Sequence, residues 1–264
     1  MNRMWIATGG IICLIFGLSF VLAARGGADA GSKDEIWKPF LPEAELSKVV
    51  EDEVKIIQKE LGKPKPDEKK IRASALVIAL AAQDCKDRRE PLQLTVLQSS
   101  AMLLVKNAGT YDSDSMKKVV ERIANYTKQK SAPTAEPGRI DLKKFVEELG
   151  DAMVIFDKPD KGGEGLERDL LILGQRKKPF TPAEMSDKVL IMADKAALIA
   201  QVARAFDDLG KNQKTDWLKW SDQMRQGAID LAGAVKAKNN KGMKTAVNKL
   251  YSACVDCHGK FRDK

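Results

Sequence analysis

The chain has 264 residues, 44% hydrophobic and 31% charged, enough for one large domain or two ordinary ones with a packed interior. Its net charge of +8 comes from lysines that alternate with glutamate and aspartate, with no dense basic stripe or arm, so nucleic acid is excluded as the expected partner. Aromatics are scarce while Ala, Lys, Leu and Val are plentiful, a balance that favours helices over strands.

Residues 1–30 read as a targeting segment. Arg3 supplies a positive charge, Trp5 to Ala24 carries none, and Val21-Leu-Ala23 and Ala28-Asp-Ala30 both suit cleavage. The apolar run is long for a signal peptide and just long enough to span a bilayer. Residues 1–24 therefore act either as a cleaved signal or as a retained anchor, the only membrane contact expected. Both outcomes export the body of the protein, to the periplasm or an equivalent compartment.

Residues 31–131 are expected to form an antiparallel four-helix bundle. After Pro42, the apolar positions Leu46, Val50, Val54, Ile57 and Leu61 recur every three or four residues, and Gly62 with Pro64 and Pro66 ends the helix. A second helix begins at Asp67 and buries Ile71, Ala75, Ile78 and Ala82, with Cys85 as a small core residue. Pro91 suits the first turn of a third helix, whose stripe is Leu94, Leu97, Ala101, Leu104 and Val105. The fourth follows a capping region at Asp112–Ser115 and turns Met116, Val119, Val120 and Ile123 inward. Short loops between four amphipathic helices imply an up-and-down arrangement.

Residues 132–139, rich in Pro, Ala and Gly, read as a linker, and residues 140–264 as a second bundle. A helix is expected over Asp141–Phe156, then a loop over Lys158–Gly165. Gly162-Gly-Glu-Gly165 lacks the preceding strand and the following G-K-[ST] of a phosphate cradle, so it reads as flexible chain. Thr181-Pro-Ala-Glu184 has the form of a capping box and predicts a helix running to about Leu209. A further helix is expected over Asp216–Ala237, with Trp217, Trp220, Met224, Ala228, Leu231 and Val235 on one side. The fold class is thus all-α: two consecutive four-helix bundles after an N-terminal leader.

The last helix presents Met243, Ala246, Val247, Leu250, Cys254, Cys257 and Phe261 at steps of one, three or four. Cys254-Val-Asp-Cys257-His258 is a C-x-x-C-H sequence and contains the only histidine in the chain. Two thiols on adjacent turns can form thioethers with haem vinyl groups while the imidazole that follows ligates the iron. Zinc would need a fourth ligand, and a thioredoxin-like pair would start a helix after a strand. One covalent haem c is the cofactor this spacing implies, in the compartment the leader implies.

The two halves echo each other. Met116-Lys-Lys-Val-Val-Glu-Arg-Ile123 lies on Met243-Lys-Thr-Ala-Val-Asn-Lys-Leu250 without a gap, which sets Thr127 against Cys254, Lys130 against Cys257 and Ser131 against His258. The first bundle would then be a related unit without haem-attachment residues.

Ala253-Cys-Val-Asp-Cys-His-Gly-Lys-Phe-Arg262, ending the last helix of a helical domain, resembles the class II c-type cytochromes, the cytochrome c-prime family. Class I cytochromes carry the motif near the start of their domain. The resemblance is specific over about the last twenty residues and architectural from Asp141 to Asn240. It implies that Cys254 and Cys257 hold the haem, that His258 is the proximal ligand, and that Phe261 and Arg262 flank the haem. Some family members leave the sixth coordination site open under apolar side chains and take up NO or CO; others fill it with a methionine from the first helix of the bundle. Here the methionine candidates are Met153, then Met192 and Met185. The expected function is single-electron transfer with a redox partner protein, steered by the positive surplus. The alternatives are a five-coordinate protein that captures or senses a diatomic gas, and a haem-bearing interaction module docked through its first bundle. No catalytic acid, base or nucleophile constellation stands out, so an enzyme is not expected. The family often dimerises, which makes a homodimer an expectation by analogy.

Overall fold

The computed structural model describes residues 38–87, 91–128, 139–146, 148–206 and 211–261. The expected targeting segment, most of the linker and Arg262 lie outside the described residues. The chain is mostly helical, and no strand is formed among the described residues; the nearest approach to one is a single bridge between Leu41 and Cys85.

Four helices come first: α1 (Glu43–Leu61), α2 (Glu68–Asp84), α3 (Pro91–Asn107) and α4 (Ser113–Ala124). The expected stripe of α1 is buried, from Leu46 to Leu61. The Asp67 carboxylate accepts from the Lys70 backbone N–H at 3.2 Å and caps α2. Asp112 caps α4 by accepting from the N–H groups of Asp114 and Ser115 at 3.0 and 2.8 Å. α1 packs on α2, α2 on α3 and α3 on α4, and α4 returns to α1.

The second set departs from expectation at its start. In place of one helix over 141–156 there are two short pieces, α5 (Leu142–Phe145) and α6 (Leu149–Met153), followed by a 3₁₀ turn at Val154–Phe156. Val154, Ile155 and Phe156 are all buried, and three consecutive side chains do not share one face of an α-helix. Burial between α2 and α8 outweighs the local helical pattern.

The chain then forms α7 (Leu166–Gln175), α8 (Asp187–Ala205), α9 (Lys211–Lys236) and α10 (Asn240–Phe261). α7 follows directly on the expected loop, over sequence to which no element is assigned above; it buries Leu166, Leu170 and Leu173 and packs on α10. The Thr181–Glu184 capping contacts do form, with Glu184 accepting from the Thr181 N–H and hydroxyl at 2.7 Å each. They close a turn ahead of the helix, Glu184 also pairs with Arg176, and α8 starts later, at Asp187.

α2 and α8 are the centre of the molecule. Each is buried almost all round, and each is rich in alanine (Ala73, Ala75, Ala79, Ala81 and Ala82; Ala193, Ala196, Ala197, Ala200 and Ala203). Small side chains let neighbours approach from every side, so one-face periodicity does not apply. α8 packs against α9 and also against α1 and α2, and the buried apolar residues of both sets belong to one contiguous cluster.

Charge is buried at this junction. Lys195, 1% exposed, places its ammonium 2.6 Å from Asp52 and 2.7 Å from both Glu53 and Glu164. The surrounding carboxylates hold Lys195 above the usual lysine range despite its burial. Glu53 is pushed up to about 8, because burial and the Glu164 carboxylate outweigh the attraction of Lys195. Lys195 is shared with the half-exposed Asp52 and with Glu164, so its attraction does not offset the burial of Glu53, whose carboxyl is shifted toward the protonated form.

Candidate functional site

α9 and α10 are joined by a tight turn in which Lys238 adopts a positive φ of 51°. Asn239 caps the new helix by accepting from the Gly242 N–H at 3.0 Å. At the crossing of the two helices stands Gly227; a Cβ there would lie 2.9 Å from the Leu250 backbone nitrogen. The helices therefore approach closely, and α10 is held along α9 for its whole length.

The buried stripe of α10, Met243, Ala246, Val247, Leu250 and Ala253, continues at helical spacing into Cys254, Cys257, His258 and Phe261. Here the neighbouring helices draw back and leave a cavity of about 510 Å³. Ala253, Cys254, Cys257, His258 and Phe261 all line it. The residues assigned from the motif are thus brought together on one wall, while Arg262 lies outside the described residues.

α9 supplies a second wall with Trp217, Trp220, Ser221 and Met224. Phe261 meets both tryptophans edge to face, at centroid distances of 5.0 and 5.8 Å. Trp217 is locked by its indole N–H, which donates to the Ala203 carbonyl of α8 at 2.8 Å. On the rim, Lys260 pairs with Asp216 and lies 5.8 Å from the centre of the Trp220 ring. α6 and the turn after it close the opposite side with Leu149, Gly150, Met153 and Phe156, and Asp157, Lys161 and Glu167 mark the polar edge.

The thiols are shifted by this setting. Burial, with the Glu167 carboxylate and Cys257 adding to it, pushes Cys254 up to about 12. Burial pushes Cys257 up to about 11. Dithiol redox sites work through a lowered thiol pKa, commonly at a helix N-terminus. This pair stands at the C-terminal end of α10 with the opposite shift, which argues against thioredoxin-like exchange. Among the described residues no group of three or more His, Cys, Asp and Glu is gathered to hold a bare metal ion. The ligand-type side chains are arrayed along a wall.

Of the three methionines singled out from the sequence, Met153 lines the cavity. Met192 is buried in the α8 core and Met185 is half-buried ahead of α8; neither is a lining residue. Met224 lines the cavity too. In the sequence it sits in the α9 stripe with Trp217 and Trp220, where it looks like ordinary core. Two tryptophans within four residues of each other, in a chain with four, were the signal for an aromatic wall. Glu167 had no such signal, because the helix that carries it was not foreseen.

A haem group fits what is present. The volume lies within the range of roughly 300–1,000 Å³ common for cofactor sites, the lining is mainly aromatic and aliphatic, and two thiols and an imidazole border it. Comparison of the chain with protein-family models, with curated proteins and with solved structures returns no match.

Proposed function

We propose that this protein is an exported monohaem c-type cytochrome that passes single electrons to and from a partner protein. The observation that carries this reading is the placement of Cys254, Cys257 and His258 on successive turns of α10, all facing one aromatic-lined cavity of about 510 Å³. Cys254 and Cys257 would hold the group through thioethers and His258 through its imidazole. Trp217, Trp220 and Phe261 would pack against it and keep water from it, while Ala203 and Ala253 leave it room. The bound haem would supply a reversible one-electron change at iron. What the chain contributes is ligation and a low-dielectric surround, with its net charge of +8 to steer an acidic partner.

Met153 and Met224 are the two side chains on the cavity wall able to provide a thioether as sixth ligand. Their presence favours the electron carrier over an open-site gas binder. We read the molecule as two four-helix bundles, α1–α4 and α7–α10, fused through α8, with the first bundle a haem-free relative of the second. Residues 1–30 as signal or anchor complete the reading.

The test is the absorbance of the protein expressed with haem-attachment machinery. A c-type spectrum that survives denaturation, and is lost in the Cys254→Ala, Cys257→Ala double variant, supports it; a colourless wild type refutes it. Adding CO to the reduced protein then separates the two haem readings. An unchanged spectrum supports a methionine ligand, and a rapid change supports an open site.

A further inference from the structure

The inference rests on the haem reading above and concerns what sets the character of His258. Glu167, in the first turn of α7, brings Oε1 to 3.6 Å from His258 Nδ1. A carboxylate at one ring nitrogen draws the imidazole proton to that nitrogen and leaves the other, Nε2, with its lone pair for a metal.

Glu167 is held in place by the chain before it. Gly165 precedes α7 at a φ of 85°, open to glycine without strain. At Gly163 a Cβ would lie 2.0 Å from the Asp157 carbonyl, so the loop closes only over glycine. Glu164 is tied to the buried Lys195 ammonium at 2.7 Å, and Leu166 and Leu170 are sunk in the core. These anchors fix the start of α7, which carries Glu167 onto the His258 side of α10. Asp169, in the same turn, points elsewhere and pairs with Lys188 at 3.1 Å.

The geometry points to Glu167 as a positioning residue for His258. At 3.6 Å its carboxylate stands beyond hydrogen-bond length but within ion-pair reach of Nδ1, and its negative charge favours the proton there, keeps Nε2 as the ligating nitrogen, and makes the imidazole a stronger donor. A stronger donor stabilises the ferric state, so Glu167 lowers the reduction potential of the bound haem.

The test is spectroelectrochemical titration of the haem-loaded protein at fixed pH, with EPR of the ferric form, for wild type, Glu167→Gln, Glu167→Ala and Asp169→Asn. Glu167→Ala is expected to raise the potential and shift the ferric g values. Glu167→Gln, which keeps the side-chain shape but carries no charge, should shift both in the same direction. Asp169→Asn removes the same charge from the same turn and should leave both at wild-type values. Unchanged values in both Glu167 variants overturn the assignment, as does a shift in Asp169→Asn equal to that in Glu167→Ala. If Glu167→Ala does not load haem, the sign of the shift in Glu167→Gln decides. A wild type without covalent haem overturns the underlying function instead, and shows before any variant is made.

Discussion

Ser113 opens α4 as Asn240 opens α10, and laid together from those residues the helices match without a gap. Met116, Val120 and Ile123 then fall on Met243, Val247 and Leu250, and all six are buried. Beyond this point the helices part. α4 ends at Ala124 and gives way to a 3₁₀ turn, whereas α10 runs on for roughly three more turns. Where α10 has Ala253, the first set has Tyr126, buried and with its hydroxyl 3.2 Å from Ser47 on α1. The space beside Tyr126 is about 10 Å³; that beside Ala253 is about 510 Å³. A shared apolar stripe thus builds a closed core or an open pocket, depending on one side-chain volume and on how far the helix continues.

Transplanting the plug is the strongest way to break this contrast. Ala253→Tyr should fill the α10 cavity and lower haem attachment roughly tenfold or more, read from haem absorbance per protein, with helical content unchanged by circular dichroism. The reverse change should not create a site. Tyr126→Ala is expected to cost about 3 kcal/mol in denaturant unfolding and to load no haem, because the sequence register sets Thr127, Lys130 and Ser131 against Cys254, Cys257 and His258.

The junction between the two sets should show in the pH dependence of stability. Asp194 is buried with neither carboxylate oxygen hydrogen-bonded among the described residues, and burial together with the Glu45 carboxylate raises it from 3.8 to about 8. Glu53 is raised from 4.5 to about 8. Folding raises both values, so the folded state holds these protons more tightly. Stability is then greatest below the unfolded-state values and falls as pH rises toward 8. Asp194→Asn should flatten that fall by roughly 2 kcal/mol between about pH 5 and 8, measured by urea unfolding at each pH. An unchanged slope would mean that Asp194 does not titrate in that window.

The smallest effect is expected at the helix crossing. Gly227→Ala gains helix propensity but drives a methyl into the Leu250 backbone of α10. Overpacking should win by about 1 kcal/mol, seen as a lower melting temperature. Gly233→Ala, where a Cβ would meet nothing within 4 Å, provides the contrasting control.

The sequence and the structure agree best where one local rule acts alone. The stripes of α1 and α4 could be read from apolar spacing, and the Asp67 and Asp112 caps from a short acceptor ahead of a helix. The placement of Cys254, Cys257 and His258 along one side of α10 was legible from their spacing. The stretch 141–156 was misread as one helix because its apolar residues satisfy two neighbours at once, α2 and α8, rather than one face. α7 went unseen because the loop before it is rich in Gly, Lys and Asp, although Leu166, Leu170 and Leu173 carried the period.

The amino-acid sequence by itself determined the helical class, the Asp67 and Asp112 caps and the motif on α10, since each depends on residues within a turn or two of one another. Tertiary structure alone decided that α2 and α8 form a shared centre, that Met153 and Met224 rather than Met192 or Met185 reach the cavity, and that Glu167 faces His258. Those facts depend on side chains distant in sequence competing for the same space, and close packing in three dimensions settles which of them meet.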